Sequence, residues 1–129
     1  MKISIDPKIL ENFPDAKIGW LRAGVANAGG AAHVRALKAG LEARLNDIGI
    51  SADTMMMHPD VRRWREVYSA MGVKPSKYRS SLEALLRRIF KGDLWEVSPV
   101  VDCYDCVSAL SLLPMGAHDM EKLRGGLTL

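Results

Sequence analysis

The chain has 129 residues, of which 48% are hydrophobic and 26% are charged, and its formal net charge is +3. This balance excludes an intrinsically disordered chain and fits one globular domain over residues 1 to 129 with a modest core. The small positive excess permits an acidic partner, and no apolar run approaches the roughly 20 residues that would span a bilayer. Because the N-terminus also lacks the features of a secretory signal, we expect a cytoplasmic protein without a membrane partner.

The beginning of the chain predicts two strands. Residues 1–6 alternate apolar and polar side chains, and the pair Asp6-Pro7 ends this strand and opens a single helical turn. Residues 16–25, with the sequence AKIGWLRAGV, alternate less regularly, and we interpret them as a second strand.

Two helices are predicted next, because apolar residues recur every three or four positions. The first follows a break at Ala28-Gly29-Gly30, covers residues 31–48 and ends at Gly49. The second opens at Pro59, where the missing amide costs nothing, and ends at Gly72.

The third helix, residues 81–91, has the clearest signals. Ser80 and Glu83 have the spacing of a capping box, in which the hydroxyl accepts from the amide three residues later and the carboxylate reaches back. Its apolar residues share one face, and Gly92 ends it. These apolar residues are Leu82, Leu85, Leu86 and Ile89.

A last helix and a last strand complete the chain. Ser98-Pro99 predicts the start of a helix that runs to Pro114, with Val100, Tyr104, Val107 and Leu110 on one face. Residues 127–129 alternate as a strand does.

Positive charge is concentrated between residues 58 and 91. This surface could bind the phosphates of RNA, with Tyr78 and Trp64 as stacking partners, although the position of Trp64 on an inward stripe favours a core residue. The alternative is an ordinary solvated face, with cations that offset the partial charge at a helix end. The candidate RNA-binding residues are Arg62, Arg65, Lys74, Lys77, Arg79, Arg87 and Arg88.

Two patterns near the last helix could carry chemistry. Asp102 and Asp105, three apart and near His118 in sequence, could position a water for ester hydrolysis by general-base action. Alternatively, Asp102 stabilises the helix N-terminus and Asp105 is merely exposed. Cys103 and Cys106 supply only two of the four ligands that zinc needs, so core packing is favoured over a metal or redox role. We predict no metal and no cofactor.

The second half of the chain also resembles a known family. Residues 62–123, RRWREVYSAMGVKPSKYRSSLEALLRRIFKGD followed by SPVVDCYDCVSALSLLPMGAHDMEKL, resemble the editing domain of the phenylalanyl-tRNA synthetase β subunit, in particular its freestanding single-domain relatives. The family pattern is roughly V-D-x-x-N-x-V, then P-x-G/H-A-x-D-x-x-K-L. The matching residues are Val101, Asp102, Val107, Pro114, Ala117, Asp119, Lys122 and Leu123.

The resemblance implies a fold and a function. The fold would be a layered α+β domain with a small mixed sheet and about four amphipathic helices, and the function RNA or aminoacyl-tRNA binding, with hydrolysis of mischarged tRNA when the domain is complete. The pocket residues would be Tyr104, Ser108, Pro114 and Gly116. The chain departs from the pattern at Asp105, where the family has Asn, and at Gly116, where the synthetase has His. The alternative is a non-catalytic small-molecule-binding or structural domain with no RNA partner.

The family chain continues past this last strand through a second half that completes its sheet and pocket. We therefore expect the present chain to lack the C-terminal half of the family fold. Since an edge strand presents unpaired amides and carbonyls, residues Leu127 to Leu129 should pair with a second chain or with a missing C-terminal segment.

Overall fold

The computed structural model describes residues 1–26 and 29–129. In this part of the chain, six α-helices and a two-stranded sheet are divided between two compact units. The terminal unit contains residues 1–24 and 117–129, and the central unit contains residues 25–116. The predicted α+β fold class is confirmed, with more helix and less sheet than expected.

The terminal unit is built on a parallel pair of short strands, β1 (Ile3–Ser4) and β2 (Leu127–Thr128), with helix α1 (Pro7–Asn12). The amide of Leu127 donates to the carbonyl of Lys2 at 2.9 Å. A Cβ at Gly126 would lie 2.8 Å from the same carbonyl oxygen, so the close approach of the backbones requires glycine there. The pairing expected for residues 127–129 is thus made with β1 of the same chain.

The strand predicted at residues 16–25 is wrong. These residues have no regular structure, and none of the backbone hydrogen bonds of the described chain involves residues 17–26. Trp20 and Leu21 are 66% and 83% exposed. The side-chain alternation is present in the sequence, but a strand also needs a partner to bond its amides and carbonyls, and the described residues provide none here.

The central unit consists of helices connected by short turns and loops. Its core lies between α3, α5 and α6, where Leu41, Leu45, Leu82, Leu86 and Cys106 are fully buried. Its helices are α2 (Ala31–Ala39), α3 (Leu41–Asp47), a 3₁₀ turn (Met55–Met57), α4 (Pro59–Ala70), α5 (Ser81–Lys91) and α6 (Pro99–Ser111). None of the helices in the described residues is long and apolar enough to cross a membrane.

The single helix predicted over residues 31–48 is divided at Gly40. Gly40 ends α2 by donating to the carbonyls of Ala36 and Leu37, and α3 begins at the next residue. Glycine costs about 1 kcal/mol in a helix interior, so the break falls at the weakest position. The break predicted at Ala28-Gly29-Gly30 lies partly outside the described residues.

Helices α5 and α6 begin and end close to the predicted positions. Ser80 Oγ accepts a hydrogen bond from the amide of Glu83 at the start of α5. Ser98 Oγ accepts one from the amide of Val101 at the start of α6. Of the four residues expected to share one face of α6, Val107 is 45% exposed, whereas Leu110 is half-buried against the core. Cys106 and Ala109 are fully buried instead, and such small side chains allow close helix packing.

Candidate nucleic-acid interface

Three arginines converge on one buried carboxylate, and we call Arg65, Arg79, Arg87 and Glu83 the arginine cluster. Glu83 stands in the first turn of α5, where its amide bonds to the Ser80 cap at 3.2 Å, and its side chain is only 1% exposed. Its carboxylate bonds to arginines, so only half of the predicted capping box forms. The side chain that would have closed the box anchors α4 to α5 instead.

The geometry of the cluster is that of a preorganised cationic surface. Arg65 donates from Nε to Oε2 at 2.9 Å and from Nη2 to Oε1 at 2.7 Å, and Arg87 donates from Nε to Oε1 at 3.0 Å. Arg79 Nε lies 3.6 Å from the same oxygen. Hydrogen bonds from Arg65 lower the pKa of Glu83 against the opposing effect of burial. Three guanidinium charges therefore face one carboxylate charge, and their side chains stay 34% to 48% exposed.

A second cluster of side chains joins α2 to α6, and we call it the α6 cluster. Its members are Lys38, Asp102, Asp105, Arg88 and Trp95. Lys38 Nζ lies 3.3 Å from Asp102 Oδ1, with the two side chains 10% and 7% exposed, and it donates to the carbonyl of Trp95 at 2.8 Å. Burial raises the pKa of Asp105, and the charge of Asp102 adds to the rise. Lys38 and Arg88 act on that pKa in the opposite direction. Asp105 is therefore a carboxylate of increased basicity.

The N-terminus of α6 lines a small cavity of about 120 Å³. Asp102, Ser98 and the exposed ion pair between Arg35 and Glu96, 2.6 Å apart, supply its polar surface. A second cavity, of about 340 Å³, lies against Trp64 and Leu113, between α4 and the end of α6. Neither cavity is lined by Tyr104, Ser108, Pro114 or Gly116.

A family model matches residues 63–129, just over half of the chain, and its description is the B3/4 domain. The chain belongs to the B3/4 domain family. This is a domain found in the β subunit of phenylalanyl-tRNA synthetase. No curated protein and no solved structure matches the chain. The matched range contains the whole arginine cluster and all of the α6 cluster except Lys38.

The B3/4 domain brings some of the predicted RNA-binding residues together and leaves others separate. Arg65, Arg79 and Arg87 meet at Glu83, whereas Arg62 forms an exposed pair with Glu66 at 3.7 Å and Arg88 lies on Trp95. Lys74 and Lys77 are exposed on the connection between α4 and α5.

The aromatic candidates of the B3/4 domain differ in exposure. Lys77 Nζ is 5.3 Å from the ring centroid of Tyr78, which is 55% exposed. Trp64 is half-buried against the core.

The predicted catalytic and pocket residues are distributed over both units. Asp102 and Asp105 lie in the α6 cluster, whereas His118 belongs to the terminal unit, where it is exposed. Ser108 donates its hydroxyl proton to the carbonyl of Leu113 at 2.6 Å and so closes the end of α6. Tyr104 is half-buried, and burial raises its pKa.

The two cysteines of the B3/4 domain have different environments. Cys106 is fully buried, and burial raises its pKa to about 11. Cys103 is exposed, so only one of the pair is the core residue that we predicted. Within the described residues, no group of three or more histidine, cysteine or acidic side chains is arranged to hold a metal ion.

Sequence reasoning did not find three residues that organise these clusters. The capping-box spacing accounts for Glu83 by capping alone, although its place among several arginines with few acidic neighbours is a signal for ion pairing. Lys38 and Trp95 gave no comparable signal, because their roles depend on contacts with residues about 60 positions away or on a neighbouring helix.

Proposed function

We propose that this B3/4 domain binds RNA, with transfer RNA as the expected partner, through the arginine cluster. The observation that carries the proposal is the convergence of three partly exposed guanidinium groups on the single buried carboxylate of Glu83. Hydrogen bonds to Glu83 hold Arg65 and Arg87 in place, so binding an anion at these two side chains costs little further side-chain ordering.

Guanidinium groups suit phosphate because their planar forks donate in pairs. Arg65 uses two donors on Glu83, and Arg79 is placed at the longer distance of 3.6 Å, which leaves its fork available to a ligand. The exposed Lys74 and Lys77 extend the positive surface along the connection between the two helices. Contacts of this kind position a nucleic-acid backbone without reading its sequence.

The membership of the family supports transfer RNA as the partner, since the B3/4 domain occurs in a synthetase subunit. On this proposal the chain is a module related to the synthetase editing domain and its freestanding relatives. The competing possibility is a structural or small-molecule-binding domain without an RNA partner.

A salt titration tests the proposal. The binding of a fluorescently labelled transfer RNA transcript should weaken steeply as salt rises, since each phosphate contact contributes a slope of roughly −0.7 to −0.9 in a plot of log K against log salt. Arg79→Ala should weaken binding several-fold and reduce the slope by about one contact. Its fold should persist, because Arg79 is exposed and makes one loose ion pair.

Arg44→Ala is the matched control. Arg44 is an exposed arginine on α3 that forms no ion pair with any described residue. If binding is insensitive to salt, or if both variants weaken it equally, the arginine cluster is not the binding surface.

Ester hydrolysis is a second candidate function, and the environment of Asp105 favours it. Burial and the nearby charge of Asp102 raise the pKa of Asp105 and so increase its strength as a general base. In this reaction water adds to the ester carbonyl carbon while Asp105 takes a proton from the water. As the carbonyl re-forms, the bond to the ribose oxygen breaks and Asp105 returns the proton to that oxygen, which gives the free amino acid and uncharged RNA.

The test is deacylation of transfer RNA charged with tyrosine or another wrong amino acid. We expect release above the uncatalysed rate with the unchanged protein and none with Asp105→Asn, while RNA binding is kept. Equal release by both proteins would show that Asp105 is not the base, and no acceleration by either would leave the chain a binding module.

A further inference from the structure

Trp95 is an exposed aromatic residue on a segment that is anchored by hydrogen bonds to two buried side chains. Its side chain is 58% exposed, and residues 93–98 have no regular secondary structure. Even so, the carbonyl of Trp95 accepts from Lys38 Nζ at 2.8 Å, and the amide of Val97 donates to Asp102 Oδ1 at 3.1 Å. Both anchoring side chains are nine-tenths buried or more. The backbone that carries the ring is therefore fixed, although the ring itself contributes little to the core.

The guanidinium of Arg88 covers the Trp95 ring. Its Cζ atom lies 3.7 Å from the ring centroid, well within the distance of a cation–π contact. Arg88 covers one face of the indole and the residue still exposes 58% of its surface, so the part of the ring that Arg88 leaves uncovered is accessible to solvent. The pair forms a flat, one-sided platform with a positive charge beneath it.

We infer that Trp95 and Arg88 form a stacking site for an unpaired nucleobase of the RNA bound by the arginine cluster. Every base has a π-face that can stack on an exposed indole, whatever its hydrogen-bonding edge. Arg87 and Arg88 are neighbours on α5, so the phosphate-binding cluster and the platform lie on adjoining sides of the same helix. A single strand whose backbone contacts one can place a base on the other.

This inference rests on the proposed function but makes a separate demand. The arginine cluster requires only phosphate, whereas the Trp95 platform requires a base. A strand of abasic ribose phosphate and an oligoadenylate of equal length carry the same phosphates and differ only in their bases, so they distinguish the two.

The experiment measures binding of both labelled strands to the whole 129-residue chain and to Trp95→Leu. We expect the unchanged protein to bind oligoadenylate more tightly than the abasic strand. Trp95→Leu should weaken oligoadenylate binding about tenfold and leave abasic binding unchanged, consistent with the loss of one stacked base. Trp95→Phe should keep most of the affinity, because a smaller aromatic ring still stacks.

Trp20→Leu is the matched control. Trp20 is 66% exposed, but no cation lies over its ring within the described residues. Trp20→Leu should therefore leave the binding of both strands unchanged. Circular dichroism checks that each variant is folded.

The outcomes separate the two proposals. If both strands bind but Trp95→Leu changes neither, the stacking site is excluded while RNA binding stands; a Trp95 that serves a protein partner would give this result. If Trp95→Leu weakens both strands equally, its effect is not on a base and the inference also fails. If neither strand nor transfer RNA binds the unchanged protein, the proposed function fails together with the inference.

Discussion

Arg65 forms a bidentate hydrogen bond with the carboxylate of Glu83, and this contact joins α4 to α5 on the buried side of the arginine cluster. Because Glu83 is 1% exposed, its charge is stable there only while arginines surround it. The carboxylate of Glu83 therefore both stabilises the fold and fixes the positions of the guanidinium groups that bond to it.

Replacing Glu83 should destabilise the central unit. Glu83→Gln removes the charge but keeps the shape, and we expect the free energy of unfolding to fall by roughly 2 to 3 kcal/mol, since charge-assisted hydrogen bonds are lost. Urea unfolding monitored by circular dichroism measures this. Glu66→Gln is the control, because the exposed pair of Glu66 with Arg62 should contribute less than about 0.5 kcal/mol.

The contribution of Glu83 to stability should depend on pH. Its pKa is lower in the folded protein than its ordinary value near 4.3. The stabilisation is thus complete above that ordinary value and is lost as the pH falls through the lower folded pKa. The difference in unfolding free energy between the unchanged protein and Glu83→Gln should stay constant from neutral pH to about pH 5 and shrink below it. A constant difference down to about pH 2 would contradict this assignment.

The ionised carboxylate of Asp105 should lower the stability of the folded protein, whereas that of Glu83 raises it. Burial and Asp102 raise its pKa, so its ionised form is less favourable in the folded protein than in the unfolded chain. At neutral pH, Asp105→Asn should therefore raise the melting temperature, by an amount corresponding to less than about 1 kcal/mol because the group is partly hydrated. The gain should vanish as the pH falls below the ordinary aspartate pKa near 3.9. A variant less stable than the parent at neutral pH would show that Asp105 makes favourable contacts instead.

The ion pair of Lys38 and Asp102 should be strongly coupled. Asp102→Leu leaves Lys38 buried without its partner and should cost about 3 kcal/mol, whereas the double variant with Lys38→Met should recover part of that loss. Denaturant unfolding of the single and double variants measures the coupling. The exposed pair of Arg35 and Glu96 provides the comparison, and additive effects at positions 38 and 102 would refute the coupling.

The two thiols should react at very different rates. Cys103 is exposed, whereas burial raises the pKa of Cys106 to about 11 and keeps it protonated at neutral pH. A thiol reagent should modify one cysteine in the native protein and two after denaturation, with or without a chelator. Fast modification of Cys103→Ser would show that Cys106 is accessible.

Local signals were enough to locate the helices that carry the two clusters. The serine caps, the prolines at the first helical positions and the apolar stripe of α5 each depend on neighbours within a few residues, and the structure confirms them. The break at Gly40 has a local signal in the low helix propensity of glycine, but the apolar repeat on both sides of it favours one continuous helix. The lack of a strand at residues 16–25 depends on the absence of a partner strand among the described residues, which a short window of sequence does not contain.

The candidate site was predictable in composition but not in arrangement. The arginines of α4, of α5 and of the connection between them form the predicted positive surface. Arg79 and Arg87 stand four residues before and after Glu83, which is a spacing for ion pairs, but nothing local indicates that Arg65 joins them from α4. Asp102 was found as a candidate, but its partner Lys38 lies 64 positions earlier and on a helix whose end was misplaced. Ion pairs between distant helices are decided by tertiary packing, which is why they escape sequence patterns.

The ladder between β1 and β2 has a consequence for how the chain folds and frays. Ser4 and Thr128 meet although they are 124 positions apart, and joining such distant segments costs entropy that a two-residue ladder offsets only weakly. The ladder between β1 and β2 should form after the helices have packed together and should open before the helices unfold. Amides of Leu127 and Leu129 should accordingly exchange with deuterium long before those of Leu85 and Leu86.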